Sequence, residues 1–241
     1  MNIVVMGAQW GDEGKGKIVD YLAQDAKYVG RFAGGANAGH TIVVDGKKYA
    51  LHQVPSGILY PNKSVFLGSG MVIDPEALFK ELQMLKDNGI DWEGRVFISD
   101  RAHLTLPGYR EMDKARDAAR KRPIGTTGRG IGTTYSMKSE RDGIRVGDLD
   151  WDEKWNDLDD NDKKFLEQYK EQLISMRVNL AAKMHEFKNE NNEILTNING
   201  ITPKIYFGEN EIGLEDIKSV GTYTFEFIKS DPKFVVECEY N

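Results

Sequence analysis

The chain has 241 residues, of which 40% are hydrophobic, and its formal net charge is −6. That length suits one large domain or a domain with an appendage, and the acidic balance makes nucleic acid and anionic membranes poor partners. A single cysteine, Cys238, excludes an internal disulfide, and no apolar run reaches the ~18 residues that a membrane span needs. We therefore expect a cytoplasmic protein without nucleic-acid or membrane partners.

The first predicted elements have the layout of a phosphate-binding site. Ile3 to Met6 is a short apolar run rich in β-branched residues, which predicts a buried parallel strand. A glycine-rich segment follows, and Ile18 to Ala23 is typical of the opening of a helix. Strand, glycine loop and helix in this order place backbone N–H groups where an anion binds.

The next elements alternate between strands and helices. Strands are predicted over residues 28–32, 42–44, 49–52, 65–67 and 96–98, and helices over residues 74–88 and 110–121. Asp45-Gly46 joins two of these strands and is a hairpin signal. The helix near residue 74 has Asp74 as its N-cap and Pro75 at its first position. Residues 123–148 are rich in glycine and threonine, which predicts a long functional loop.

The composition changes after Asp150. Residues 151–193 are strongly charged with apolar residues at loose helical spacing, which predicts helix. The acidic run from Asp157 to Asp162 is interpreted as a solvated helix start. Residues 194–236 predict short strands and turns, with a last strand at Phe234 to Val236.

The first glycine loop combines cations with two unexpected acids. Lys15 and Lys17 supply positive charge beside several glycines. Asp12 and Glu13 would repel phosphate unless they hold a metal or take a proton, so Asp12 suggests Mg²⁺ ligation, general-base work, or both. A glycine turn carrying surface charges is the simpler interpretation of such a loop when it stands alone.

Three segments together resemble the adenylosuccinate synthetase family. The first loop, Gln9 to Lys17, is similar to the family's signature, and it is not a Walker loop. The second loop, residues 35–41, contains the matching run Asn37-Ala38-Gly39-His40-Thr41. The third loop, Gly125 to Gly132, resembles the family's IMP-phosphate loop. The resemblance is dense over residues 2–149.

The resemblance implies the following site. Asp12 and the Gly39 carbonyl would hold Mg²⁺, Asp12 would take the N1 proton of IMP, and His40 would stabilise charge on the 6-oxygen and γ-phosphate. With Asp12 and His40, Lys15 completes the expected catalytic set. GTP and its phosphates would contact Gly11, Glu13, Gly14, Lys15, Gly16, Lys17, Gly39, His40 and Thr41.

The same resemblance implies that Asp12, Asn37, Thr127 and Arg141 bind IMP. Arg141 would reach the site of a neighbouring subunit, so a homodimer is expected. His52 is interpreted as structural, and His103 and His185 are given no role. Thr133-Thr134-Tyr135 stands where the family usually has Pro-Ala-Tyr.

The implied fold is α/β: a mainly parallel central sheet with flanking helices and a β-hairpin, in a truncated, P-loop-NTPase-like synthetase fold. Residues 1–150 would form the nucleotide- and IMP-binding core, and residues 151–241 would be a divergent segment that completes or caps it. The family's guanine-reading, aspartate-binding and arginine-rich segments have no recognisable counterpart here.

The function expected from the resemblance is GTP-dependent ligation of IMP and aspartate to adenylosuccinate through 6-phosphoryl-IMP. Asp12 favours IMP over deoxyguanylate, because relatives that use deoxyguanylate tend to lack that acid. The alternative is an incomplete or non-catalytic subunit, a fragment, split-gene piece or viral variant. It would bind IMP or a related purine monophosphate, or pair with a synthetase chain.

Overall fold

The computed structural model describes residues 2–6, 15–37, 39–44, 46–122, 125–190, 205–207, 210–212 and 234–238. Among these residues, no helix combines the length and apolar character that crossing a bilayer requires.

The described strands lie throughout the chain. They are β1 (Asn2–Met6), β2 (Tyr28–Gly34), β3 (His40–Val44), β4 (Lys47–Leu51), β5 (Ser64–Ile73), β6 (Val96–Ser99), β7 (His103–Leu104), β8 (Arg177–Val178), β9 (Ile205–Phe207), β10 (Asn210–Ile212) and β11 (Phe234–Cys238). The described helices are α1 (Lys15–Ala23), α2 (Pro75–Asp87), α3 (Pro107–Ala118), α4 (Ile131–Glu140), α5 (Asp152–Asn156), α6 (Asp160–Glu167), α7 (Lys170–Met176) and α8 (Leu180–Glu190).

A parallel sheet forms the centre of the molecule. Its strand order is β1-β11-β2-β5-β6-β8, and β7 adds a further parallel pairing to the distal part of β5. Helices α1, α4 and α7 contact its strands, and β3 and β4 form a separate antiparallel hairpin. The predicted fold class, a mainly parallel sheet with flanking helices and a hairpin, is confirmed.

Helix α2 shows how local sequence sets an element. The Asp74 carboxylate accepts a hydrogen bond from the Ala77 N–H at 3.1 Å, and Pro75 occupies the first turn. Leu78, Leu82 and Leu85 are fully buried in the hydrophobic core at helical spacing. The predicted start and end of this helix are therefore confirmed.

The prediction of a long loop over residues 123–148 was wrong, because helix α4 occupies its middle. Gly, Thr and Ser have modest helix propensity, so the pattern favoured a loop. Tertiary contacts override that preference. The Thr134 hydroxyl bonds the Gly130 carbonyl at 2.7 Å and the Thr105 hydroxyl at 3.0 Å, and both threonines are buried. Gly130 begins the helix with a φ of 75°, which glycine adopts without strain.

The segment after residue 150 is helical, as predicted, but it is divided into four helices by turns and by β8. Asp159 caps α6 by accepting from the Asp162 N–H at 2.8 Å, which confirms the predicted helix start. The prediction that this acidic run is solvated was wrong for Asp162, which is buried and bonds the backbone of Gly108. Strand β8 pairs with β6 and was not predicted, because two residues carry no readable pattern. Strand β11 confirms the predicted last strand and lies between β1 and β2. The division at residue 150 stays a prediction.

Candidate functional site

The predicted first loop is only partly described. Gly11, Asp12, Glu13 and Gly14 lie outside the described residues. Lys15, Gly16 and Lys17 belong to α1, which is described from Lys15 onward, three residues before the predicted start. Lys15 is buried and Lys17 is exposed. A lysine side chain at this end of a helix adds a full charge to the partial positive charge of the helix start.

Arg31 anchors the start of the second loop. It is a residue of β2 and is only 1% exposed. Its guanidinium donates to the carbonyls of Ala33 and Gly35, both at 3.2 Å, and to the carbonyl of His52. Three backbone carbonyls therefore converge on one buried cation. This anchor fixes the chain where β2 ends and where the segment after β4 returns.

A buried carboxyl group also bonds the segment that follows β4. Glu81 of α2 is 5% exposed and accepts from the backbone N–H groups of Gln53 and Val54, both at 3.0 Å. Burial raises the pKa of Glu81 to about 7, opposed by backbone hydrogen bonds from Val54, Gln53 and His52 and by the charge of Arg31. Two buried side chains therefore hold residues 52–54: Arg31 bonds the His52 carbonyl, and Glu81 bonds the N–H groups of Gln53 and Val54.

Among the residues predicted to bind IMP, Asn37 has a side chain whose hydrogen bonding is incomplete. Its side-chain Oδ1 is buried and has no hydrogen-bond partner within the part of the chain that the structure describes. A buried acceptor without a partner costs free energy, so such an atom is suited to a ligand donor. Gly39 and Thr41 are exposed nearby in sequence, and His40 is described only as a backbone position of β3, paired with Leu51.

Gly39 is closely packed against the side chain of His52. A Cβ added there would lie 3.0 Å from Nε2 of His52, which is tighter than ordinary contact. His52, interpreted from sequence as structural, therefore packs against the loop. A larger residue at position 39 would require the His52 side chain to shift.

The second and third loops meet in the structure. Arg129 donates through Nη1 to the Ala36 carbonyl at 2.5 Å. A Cβ added at Gly35 would lie 2.8 Å from Cδ1 of Ile131, so the two loops are closely packed. The Tyr135 hydroxyl donates to the Gly70 carbonyl at 2.8 Å and accepts from the Gly34 N–H at 2.9 Å. Tyr135 therefore ties α4 to the ends of β2 and β5.

Two carboxylates of α3 hold the third loop, and the sequence analysis did not assign them a role. Asp113 accepts from the Thr126 hydroxyl at 2.7 Å and from the Gly130 N–H at 3.2 Å. Asp117 accepts from the N–H groups of Gly125 and Thr126, each at 3.2 Å. Their spacing of four residues places both on one face of α3, but nothing in the sequence connects that face to the loop.

Thr127 and Arg141, both predicted to bind IMP, lie on opposite sides of α4 along the chain. Thr127 is exposed in the third loop, whereas Arg141 is exposed at the carboxyl end of α4 with a φ of 68°. A ten-residue helix is ~15 Å long. The structure therefore does not bring Arg141 to the third loop of its own chain.

His103, to which no role was assigned from the sequence, is buried. Burial lowers its pKa to about 4, and the charges of Lys138 and Arg145 add to this effect. It is therefore neutral at pH 7. No group of three or more His, Cys, Asp or Glu side chains suited to a metal occurs among the described residues.

A parallel sheet with a buried-arginine anchor and two packed loops defines an α/β protein whose site is built from loops beside its strands. The family model for adenylosuccinate synthetase matches residues 4–223, and the chain belongs to this family. The predicted family membership is thereby confirmed, and the match extends past residue 149, where the resemblance by motif becomes weak.

Curated relatives match the part of the chain that carries the three loops. An adenylosuccinate synthetase of Vibrio cholerae serotype O1 (strain M66-2) is 58% identical over 149 residues, which are 61% of this chain and 34% of the relative. One from Prochlorococcus marinus (strain AS9601) is 58% identical over 158 residues, 65% of this chain and 36% of the relative. The chain thus spans about a third of the length of these relatives.

Two solved structures share the fold. The fully ligated adenylosuccinate synthetase of Plasmodium falciparum has a TM-score of 0.68 and 37% identity, covering 80% of this chain and 50% of that chain. The succinoaminodeoxyadenylate synthetase of cyanophage S-2L, bound to dGMP and dATP, has a TM-score of 0.56 and 17% identity, covering 99% and 50%. The second likeness concerns the fold alone.

Proposed function

We propose that this chain acts as a GTP-dependent ligase that joins IMP and aspartate into adenylosuccinate, with its three loops forming the IMP- and phosphate-binding part of the site. The observation that carries this proposal is the contact between the second and third loops, in which Arg129 bonds Ala36 beside Asn37. It gathers segments more than 80 residues apart in sequence, each of which resembles a nucleotide-binding motif of the family.

The proposed reaction has two displacement steps. Asp12 takes the N1 proton of IMP, the 6-oxygen forms a bond to the γ-phosphorus, and GDP leaves. The amine of aspartate then attacks C6, the bond between C6 and the phosphorylated oxygen breaks, and the departing phosphate takes the proton that the nitrogen loses, giving adenylosuccinate. Lys15 and His40 would balance negative charge as the phosphoryl group moves, because phosphoryl transfer depends mainly on positioning and on charge stabilisation.

The remaining predicted residues divide between the two nucleotides. Asn37 and Thr127 would hold IMP, with the buried Oδ1 of Asn37 accepting from the ligand. Gly11, Glu13, Gly14, Gly16, Lys17 and Thr41 would surround the phosphates of GTP. Arg141, which lies one helix length from the third loop, would serve the IMP phosphate in the site of a second copy. The active species proposed is therefore a homodimer in the cytoplasm.

Mg²⁺ is the proposed cofactor, held by the Asp12 carboxylate and the Gly39 carbonyl. Gly39 is exposed at the start of the hairpin, and oxygen donors of these two kinds are the ones that Mg²⁺ prefers. When bound, the ion would neutralise charge on the transferring phosphates.

The direct test mixes the purified chain with IMP, GTP, Mg²⁺ and aspartate and measures adenylosuccinate and phosphate. We expect both products in equal amounts, and neither when aspartate or IMP is omitted. Asp12→Asn should abolish turnover and leave IMP binding, measured by titration calorimetry, mostly intact. Asp25→Asn is the matched control, because Asp25 is an exposed aspartate outside the three loops.

Three results would contradict parts of this proposal. IMP binding without turnover in the unaltered chain would favour the non-catalytic or incomplete subunit. Loss of binding as well as turnover in Asp12→Asn would mean that Asp12 is structural. GTP binding no tighter than ATP binding would show that the guanine-selective part lies outside this chain.

A further inference from the structure

Two carboxylates of helix α3 bond the third loop, mainly through the backbone of the loop. Asp113 and Asp117 are one helical turn apart and therefore lie on the same face of α3. Between them they accept from one hydroxyl and three backbone N–H groups of residues 125–130. The shortest of these bonds joins the Thr126 hydroxyl to Asp113 at 2.7 Å.

Four backbone N–H groups of the third loop are bonded directly to these carboxylates or to the Thr126 hydroxyl. The N–H groups of Gly125, Thr126 and Gly130 bond the two carboxylates, and the Gly128 N–H bonds Thr126 Oγ1 at 3.3 Å. A glycine- and threonine-rich segment loses much conformational entropy when it is ordered, so bonds of this kind decide which conformation it takes. They leave the Thr127 side chain exposed.

Helix α3 is itself fixed, so the carboxylates act from a rigid base. Arg110 donates to Asp74 at 2.6 Å and to Glu76 at 2.9 Å at the amino end of α2. The buried Asp162 of α6 accepts from the backbone of Gly108 in the first turn of α3. The position of the third loop is therefore set by two neighbouring helices through α3.

We propose that Asp113 and Asp117 are positioning residues for the monophosphate of the purine nucleotide. They hold the third loop so that Thr127 faces the ligand and Arg129 reaches the second loop. As anions they act through Thr126 and the backbone, and not by touching the phosphate. This inference rests on the proposed function, since it names residues that prepare the same site.

The test uses the double variant Asp113→Ala/Asp117→Ala in the full chain. Hydrogen exchange read by mass spectrometry should show faster exchange of the amides of residues 125–130, with α2 unchanged. The Kd for IMP should rise about tenfold or more, which is a loss of ~1.4 kcal/mol of binding free energy. The Kd for GTP should stay within about twofold of its original value, because the proposed function assigns the GTP phosphates to the first and second loops and not to the third loop.

Two further variants keep the experiment decisive. Glu111→Ala removes the same charge from an exposed position of α3 and should change neither exchange nor IMP affinity. Thr126→Val keeps both carboxylates but removes the hydroxyl that donates to Asp113 and accepts from the Gly128 N–H, and it should raise the Kd for IMP by about threefold, even if the double variant folds poorly. Asp117→Glu keeps a carboxylate, so the amides of residues 125–130 should exchange more slowly in it than in Asp117→Ala.

The failure of this inference is distinct from failure of the proposed function. No IMP binding by the unaltered chain would overturn the proposed function and, with it, the ligand named here. Normal IMP binding with unchanged exchange in the double variant would overturn the positioning role. Tighter IMP binding in Asp117→Ala would also overturn it, because the carboxylate would then compete with the phosphate for the loop.

Discussion

The second and third loops meet in one site but are anchored in opposite ways. A buried cation, Arg31, fixes the second loop by donating to backbone carbonyls, whereas partly exposed anions on α3 fix the third loop by accepting from backbone N–H groups. The first anchor lies in the central sheet, and the second lies on a helix without a buried residue. The comparison separates a part of the site that the core stabilises from a part that surface contacts arrange.

Because the two anchors differ, we expect their removal to cause different losses of stability. Removing a buried charge that bonds several groups leaves those groups unsatisfied, and the whole fold loses stability. Removing a partly exposed carboxylate lets water replace it, so the loop moves while the core remains intact. The following variants test that contrast, from the largest expected effect to the smallest.

Arg31→Met should have the largest effect on stability. It leaves the carbonyls of Ala33, Gly35 and His52 without their donor in a buried place, so we expect a loss of ~3–5 kcal/mol in the free energy of unfolding. Urea denaturation followed by circular dichroism measures it. Arg101→Met, at an exposed position, is the control and should change stability by less than ~0.5 kcal/mol. Equal losses in the two variants would contradict the anchor.

Glu81 should make stability depend on pH. Its folded-state pKa of about 7 lies above the ordinary 4.5, so folding favours the protonated form. The free energy of unfolding therefore falls as pH rises from 4.5 through 7, by up to ~3 kcal/mol from this group. Glu81→Gln, which cannot ionise, should lack this contribution. Denaturation at pH 5 and pH 8 measures the free energy of unfolding of both proteins. If the difference between the two proteins is the same at both pH values, the contribution of Glu81 is refuted.

Tyr135→Phe tests the link between α4 and the strand ends. The substitution removes the hydroxyl that bonds the Gly34 N–H and the Gly70 carbonyl, and we expect a loss of ~1–2 kcal/mol in stability. Because Gly34 precedes the second loop, the amides of residues 34–37 should also exchange faster. Exchange that changes only within α4 would show that the loops are independent. Tyr21→Phe, at an exposed tyrosine of α1, is the matched control.

Asp117→Ala should have the smallest effect on stability. Its bonds to Gly125 and Thr126 are 3.2 Å long and partly exposed, so we expect a loss of less than ~1 kcal/mol. Thermal unfolding would measure it beside Arg31→Met. A loss comparable with that of Arg31→Met would erase the contrast between the two loops.

Much of the fold was predictable because short-range rules set it. Asp74 and Pro75 start α2, Asp45-Gly46 connects the hairpin, and β-branched runs mark β1 and β11. Helix α4 was not predictable, since its helical state depends on Thr134 bonding Thr105 of a distant segment. A weak helix former takes the conformation that its tertiary partners stabilise.

The candidate site divides in the same way. Three loops were recognisable by motif, because glycines, acids and a threonine run have a pattern along the chain. Their anchors were not recognisable, since an arginine in a strand or aspartates on a charged helix are usually solvated. Arg31, Asp113 and Asp117 acquire their roles only from the carbonyls and N–H groups that folding places beside them.

The sequence by itself therefore indicated the family, the start of α2, the strands β1 and β11, and the residues that resemble the family's nucleotide-binding residues. Only the tertiary structure decided that β11 lies between β1 and β2, that α4 is a helix, and that the second and third loops touch. The physical reason is that strand order and loop contacts depend on hydrogen bonds between segments far apart along the chain. A local pattern contains the donors and acceptors of those bonds but not their partners.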